Sequence, residues 1–205
     1  MLAAPLLAAA PAFAAPAMPP GGRIAFKVMR QDSEIGTHVL DFSRQGDRLT
    51  VRIAVDMAVG IGPITLYRYR LRVTETWEGD RFSRLESEAN DDGTAQRVTA
   101  RREEAGIRIA SIQGEVRLPP EALPLTHWNM AVTRVPVFNP QTGLKMELTA
   151  SARGTSPPPG GRESMRHFAF AGEAALEDWY DGADTWSGLR AIAKDGSVVT
   201  YHKLP

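Results

Sequence analysis

The sequence predicts an all-β protein, an antiparallel up-and-down meander that forms a strongly curved sheet or an incompletely closed barrel. Three observations carry that expectation. Long stretches alternate apolar and polar residues with period two, and turn-forming residues punctuate them at short intervals. In addition, no stretch of about ten residues shows a capped helical period.

The elements follow in order. Residues 24–29 and 35–42 flank Gln31-Asp32-Ser33, a turn by composition. Gln45-Gly46-Asp47 then leads into the clearest strand: Leu49, Val51, Ile53, Val55 and Met57 point one way, while Thr50, Arg52 and Asp56 point the other. The next strand sets Tyr67, Tyr69, Leu71 and Val73 against Arg68, Arg70, Arg72 and Thr74. Residues 81–89 run into Asn90-Asp91-Asp92-Gly93, a hairpin-turn signal in which Asn and Asp tolerate, and Gly supplies, a positive φ. Strands are also expected at 94–102, 107–112, 115–118, 144–152, 166–170, 186–193 and 198–204, the last two joined by Asp195-Gly196. Residues 174–179 and 121–125 are each expected to hold one helical turn. The Pro-rich stretches at 119–124 and 156–161 are expected to be loops or insertions within one domain.

Residues 1–14 read MLAAPLLAAAPAFA and end in Ala12-Phe13-Ala14, the small-x-small pattern of a signal-peptidase site. No Lys or Arg precedes this apolar run. The expectation is a signal peptide over 1–14, a flexible linker over 15–22 and a single β domain over 23–205, in a periplasmic or secreted protein. Pro5 and Pro11 interrupt the run, and a span needs about 20 apolar residues, so no transmembrane span is expected.

Composition narrows the chemistry. With no Cys, the chain has no zinc ribbon, thiol redox centre, iron–sulfur cluster or Cys-borne lipid. Lys plus Arg equals Asp plus Glu at 24 each, so there is no basic field for nucleic acid and no polybasic run for an anionic membrane. There is no G-x-S-x-G elbow, and the dispersed His38, His127, His167 and His202 form no metal-ligand spacing. Asn90-Asp91-Asp92-Gly93 resembles part of a calcium loop but lacks its later Glu. No cofactor and no metal site is expected.

Aromatic residues are the most informative group. Trp and Tyr anchor β cores, and they also line apolar ligand pockets. Between the third and fourth strands, Val59-Gly60-Ile61-Gly62-Pro63-Ile64 is unusually apolar for a turn, which ordinarily runs over the surface. It is expected to fold back on the core, to border an apolar cavity, or to meet lipid or a protein partner. The candidate ligand-binding residues are Ile61, Tyr67, Tyr69, Trp77, Trp128, Asn129, Trp179 and Tyr180.

Several short motifs occur in a characteristic order. They are Ile35-Gly36-Thr37-His38, Gly60-Ile61-Gly62-Pro63 ahead of Tyr67-x-Tyr69, Glu75-Thr76-Trp77, Asn90-Asp91-Asp92-Gly93, His127-Trp128-Asn129, Asn139-Pro140-Gln141-Thr142-Gly143, Asp178-Trp179-Tyr180-Asp181, Asp195-Gly196 and Tyr201. In this order the chain resembles the domain-of-unknown-function 6134 family of exported bacterial proteins, over nearly all of residues 23–205. Its architecture is also remotely similar to periplasmic lipoprotein carriers, whose curved, incompletely closed sheets hold acyl chains in the concave face. That likeness concerns the fold, and fold does not fix function.

The leading functional expectation is a non-enzymatic periplasmic protein that binds a lipid or other apolar small molecule in the concave face of the sheet. A second is an enzyme acting on an envelope glycan or lipid, with Asp178, Asp181, His127 and Asn129 as candidate groups that must converge in a cleft. A third is a structural or assembly partner that docks on an envelope protein through the apolar turn.

Overall fold

The computed structural model describes residues 18–61, 64–193 and 195–205, with the side chains of Ile61 and Ile64 outside that description. The signal peptide expected over 1–14, and Gly62 and Pro63 of the expected apolar turn, therefore lie outside the described residues.

The first half is a run of hairpins: β1 (Arg23–Arg30), β2 (Ser33–Gln45), β3 (Arg48–Ile61), β4 (Ile64–Glu78), β5 (Arg81–Asp91), β6 (Thr94–Glu103), β7 (Gly106–Ser111) and β8 (Gly114–Leu118). A crossing segment follows and carries three two-residue strands, β9 (Leu123–Pro124), β10 (Val137–Phe138) and β11 (Lys145–Met146). The second run of hairpins is β12 (Leu148–Ser156), β13 (Met165–Gly172), β14 (Leu176–Tyr180), β15 (Trp186–Ile192) and β16 (Val198–Lys203). The last strand returns to the first, with Val28 opposite Tyr201. One thirteen-stranded sheet results, in the order β12-β13-β14-β15-β16-β1-β2-β3-β4-β5-β6-β7-β8. Its outer strands, β12 and β8, do not pair with each other, so the curved sheet is not closed into a barrel. Twist accumulates across so many strands, and the sheet curls around what lies on its inner face.

The alternation read from the sequence sets which face is inner. Leu49, Val51, Ile53 and Val55 of β3 are buried, as are Leu71, Val73 and Trp77 of β4, Leu85 of β5, Val98 and Ala100 of β6, and Ile107 and Ile109 of β7. The outer face is charged: Arg72 of β4 grips Asp56 of β3 through two hydrogen bonds of 2.8 Å. Such exposed pairs contribute about 0–1 kcal/mol each and serve solubility more than stability. The anticipated hairpin at Asn90 forms, with Asn90 Oδ1 accepting from Gly93 N at 2.8 Å. At Gly36 the chains run so close that a Cβ would lie 1.9 Å from the Asp56 carbonyl oxygen, which only glycine permits.

Three expectations change. Residues 174–179 are not helical; Leu176–Tyr180 is strand β14, paired on both sides with β13 and β15. Four of its five residues are buried, so the alternation that marks half-exposed strands is absent. Residues 121–125 likewise hold β9 and no helical turn. The strand expected over 144–152 is broken at Glu147, so that β11 pairs with β10 and β12 with β13. Among the described residues the only helical elements are 3-10 turns at Pro20–Gly22 and Met130–Thr133.

Candidate functional site

The segment 119–147 is a strap across the concave face. Ala122, Leu123, Leu125, Trp128, Val132, Val137 and Phe138 are all buried and belong to the same core as the sheet. Trp128 packs edge-on against Phe42 of β2 at 5.3 Å and Trp77 of β4 at 5.4 Å, and Phe138 meets Phe82 of β5. Farther along, Gln141 accepts a hydrogen bond from the Tyr69 hydroxyl at 3.0 Å. The strap also reaches the other arm of the sheet, where the Tyr180 hydroxyl donates to the His127 carbonyl at 2.7 Å. It is thus packed into the same core as the sheet.

Under the strap lies a carboxyl group. Glu75 of β4 is 0% exposed, and its Oε2 accepts from the indoles of Trp77 at 2.9 Å and Trp128 at 3.2 Å. Thr126 also donates to this carboxyl, while Oε1 makes no hydrogen bond of good geometry. Burial outweighs these donors and pushes the Glu75 pKa up to about 7.

Beside this cluster the strap leaves a half-open cavity of about 230 Å³. Ile53, Val55, Leu71 and Val73 form its sheet wall, and Leu125 and Met146 its strap wall. Its polar groups are His38, Tyr69, Thr126, His127, Asn139, Gln141 and Tyr201; no Lys, Arg, Asp or Glu lines it. His38 is 6% exposed and sits among Phe26, Trp186 and Tyr201, with ring centroids 5.2–6.3 Å away. Neither of its ring nitrogens has a protein partner. Burial, and secondarily the neighbouring His127, pulls the His38 pKa down to about 3, so the ring is a neutral donor and acceptor at physiological pH. Burial likewise raises the Tyr69 and Tyr201 pKa values, and both phenols stay protonated.

His127 enters the same cavity from the strap. Its backbone has φ +68°, at the centre of a tight turn closed by Trp128 N–H to the Thr126 carbonyl at 2.8 Å. This is the strained hand of such a turn, and backbone of this kind costs on the order of 1–3 kcal/mol unless its surroundings impose it. Here they do. The Tyr180 hydroxyl holds the carbonyl, the ring stacks on Trp186 at 5.2 Å, and Nδ1 lies 2.8 Å from Asp178 Oδ2. Asp178 is 0% exposed and its Oδ1 accepts from the Trp186 indole at 2.9 Å. Nε2 of His127 has no protein partner among the described residues.

The residues anticipated from the sequence fall in several places. Tyr69 lines the cavity. Trp77 and Trp128 form the buried Glu75 cluster, and Tyr180 braces His127. Asn129 caps the 3-10 turn, its Oδ1 accepting from Ala131 N at 3.0 Å. Trp179 points to the opposite face, stacked on His167 at 4.3 Å and donating to Ser156. Tyr67 is 37% exposed and donates to Asp91, on a β3–β4 hairpin whose pairing runs on past Met57 and Tyr69, where β2 and β5 leave it. The Ile61 side chain lies outside the described residues. Of the second set, His127 and Asp178 converge, whereas Asp181 caps its own turn by accepting from Ala183 N and Thr185 N.

His38 is not among the candidate ligand-binding residues read from the sequence. A signal was present, because His38 is in phase with Leu40 and Phe42 on the buried face of β2. No group of three or more His, Cys, Asp or Glu suited to a metal ion occurs among the described residues, and no described helix is long and apolar enough to cross a membrane.

Comparison with known proteins agrees with this architecture. A β-barrel-like protein of domain of unknown function DUF1849 from Brucella abortus superposes with a TM-score of 0.64 at 9% identity, covering 89% of this chain and 94% of that one. At that identity the likeness is one of fold. No curated protein matches the chain. The model of the domain of unknown function DUF6134 matches residues 26–203, spanning β1 to β16, and the chain belongs to that family.

Proposed function

We propose that this protein binds a small, uncharged and largely apolar molecule in the cavity between the sheet and the strap. One observation carries the reading: His38 is buried with both ring nitrogens unpaired, against a cavity whose sheet wall is largely aliphatic and whose lining holds no charged Lys, Arg, Asp or Glu. An unpaired buried polar group costs about 1–3 kcal/mol, so a hydrogen-bonding ligand that reaches His38 gains what the fold leaves unmet. Size bounds the ligand. An apolar cavity of about 150 Å³ accommodates benzene, so 230 Å³ suits roughly ten non-hydrogen atoms, or one short alkyl segment of a lipid. With no charged side chain in the lining, a neutral head such as a hydroxyl or carbonyl is favoured over an anion. The signal-like residues 1–14 support placing this binding in the periplasm or outside the cell.

The test compares wild type with Val73→Phe, which fills the sheet wall. Phenol and indole are titrated by calorimetry, and native mass spectrometry looks for a retained molecule after gentle purification. The expected result is saturable binding to wild type that Val73→Phe abolishes while its fold is retained. Equal binding by both proteins, or none by either together with no retained mass, sinks the reading.

A further inference from the structure

We propose that His127, oriented by Asp178, is a general base facing the cavity, and that the protein abstracts a proton from the neutral molecule bound there. This rests on the cavity being a ligand site. The geometry is that of an acid–base pair. Asp178 Oδ2, 2.8 Å from Nδ1, accepts a hydrogen bond from the Nδ1–H and so leaves Nε2 with its lone pair. The carboxylate is fully buried and cannot turn away, because Trp186 donates to its other oxygen. Stacking on Trp186 and the bond from Tyr180 to the His127 carbonyl fix the ring and its strained backbone. A histidine needed only for packing requires neither a buried carboxylate nor a left-handed backbone. Trp186, Tyr180 and Phe26 already supply the apolar surface around it.

The rest of the cavity suits the products of proton removal. Charge that develops on the substrate has donors at hand in the protonated Tyr201 hydroxyl and the neutral His38 ring. No Ser or Cys lines the cavity, and its one aliphatic hydroxyl, on Thr126, is engaged by the Glu75 carboxyl, which favours elimination or isomerisation over acyl transfer. The substrate class is a small neutral molecule with a weakly acidic C–H or O–H beside an electron-withdrawing group. Nε2 takes the proton, the freed electron pair forms a new π bond, and the pair of the broken bond leaves on the substrate's own acceptor atom. The protonated imidazole then returns the proton to that atom or to solvent.

The probe is 5-nitrobenzisoxazole, a neutral aromatic compound that needs only a base. Removal of its C3 proton forms a nitrile, breaks the N–O bond and releases a coloured phenolate. Binding is read separately, by quenching of tryptophan fluorescence. Wild type is expected to bind the probe saturably and to turn it over faster than imidazole buffer does, with a rate that rises with pH as a single group loses its proton. The groups facing His127 are Asp178 and Tyr180 from β14, Trp186 from β15 and His38 from β2. His127→Gln is expected to lower kcat by about 10²–10⁴-fold, a loss far larger than any change in binding. Asp178 is a positioning residue, so Asp178→Asn is expected to alter the pH profile as well as the rate. Nitrogen-15 NMR of the wild-type imidazoles gives a readout independent of the probe: His127 is expected to carry its proton on Nδ1. Binding without turnover, or turnover that His127→Gln leaves intact, overturns the base while the ligand site stands. No binding overturns both, and a proton on Nε2 in the neutral ring overturns the base whatever the probe does.

Discussion

Glu75→Gln isolates the cost of a carboxyl group at the centre of this fold. Burial raises the Glu75 pKa from 4.5 to about 7, so the folded state holds a proton over a range where the unfolded chain has lost it. The sign follows from the proton count. Below pH 4.5 both states are protonated and the native-state preference is fully present; as pH rises toward and through 7 that contribution disappears. At 1.36 kcal/mol for each pH unit, the rise from 4.5 to about 7 corresponds to about 3 kcal/mol. Glutamine keeps the acceptor oxygen that both indoles use, 2.9 Å from Trp77 and 3.2 Å from Trp128, but does not titrate. Relative to wild type, the variant is therefore expected to gain about 3 kcal/mol between pH 4.5 and pH 8. Urea unfolding at a series of pH values measures this, because the difference between the two proteins cancels the titration of every other group. Emission from Trp77 and Trp128 offers a second view, changing near pH 7 in wild type and not in the variant. A stability difference that is flat across this range would refute the reasoning, for it would mean that Glu75 titrates alike in both states.

His38 has the opposite sign. Its pKa falls from 6.5 unfolded to about 3 folded, so its contribution is present above pH 6.5 and lost on acidification. His38→Leu is expected to gain about 3 kcal/mol on wild type by pH 4.5, measured by the same unfolding series; no relative gain in acid contradicts the burial argument. Gly36→Ala places a Cβ 1.9 Å from the Asp56 carbonyl and is expected to cost on the order of 2–4 kcal/mol, read as a lowered urea midpoint; an unchanged midpoint would mean the β2–β3 contact is looser than described. Phe138→Ala removes a fully buried strap anchor and is expected to cost about 3–5 kcal/mol, with faster hydrogen exchange concentrated in 119–147; exchange spread evenly over the sheet would show that strap and sheet unfold only together.

The chemistry and the packing of the strap are linked. Trp128 closes the Glu75 cluster, and His127, the residue before it, turns into the cavity. A register in which Trp128 enters the core between Trp77 and Phe42 therefore also places His127 opposite Asp178. Loss of the indole at 128 is thus expected to disturb the histidine–aspartate pair, although Trp128 does not line the cavity.

Much of the sheet was legible in the residues themselves. Period-two runs such as Leu49-Val51-Ile53-Val55 fix a buried face because a strand has only two sides, and Asn90-Asp91-Asp92-Gly93 fixes a turn because few residues tolerate its backbone. These rules are local, and they determined the all-β class, the order of hairpins and the inner face. Strand β14 escaped them because tertiary packing covers both of its sides, and the strap escaped them because its shape is set by the sheet it crosses. The site depended on that strap. His127 lies 51 residues from Asp178 in the chain, and no spacing rule connects them. Only when β16 returned to β1, and the strap crossed from β4 to β14, did His38, His127 and Tyr201 border one cavity. Alternation and turn chemistry act between near neighbours in sequence, whereas the cavity is made by residues that closure of the chain alone brings together.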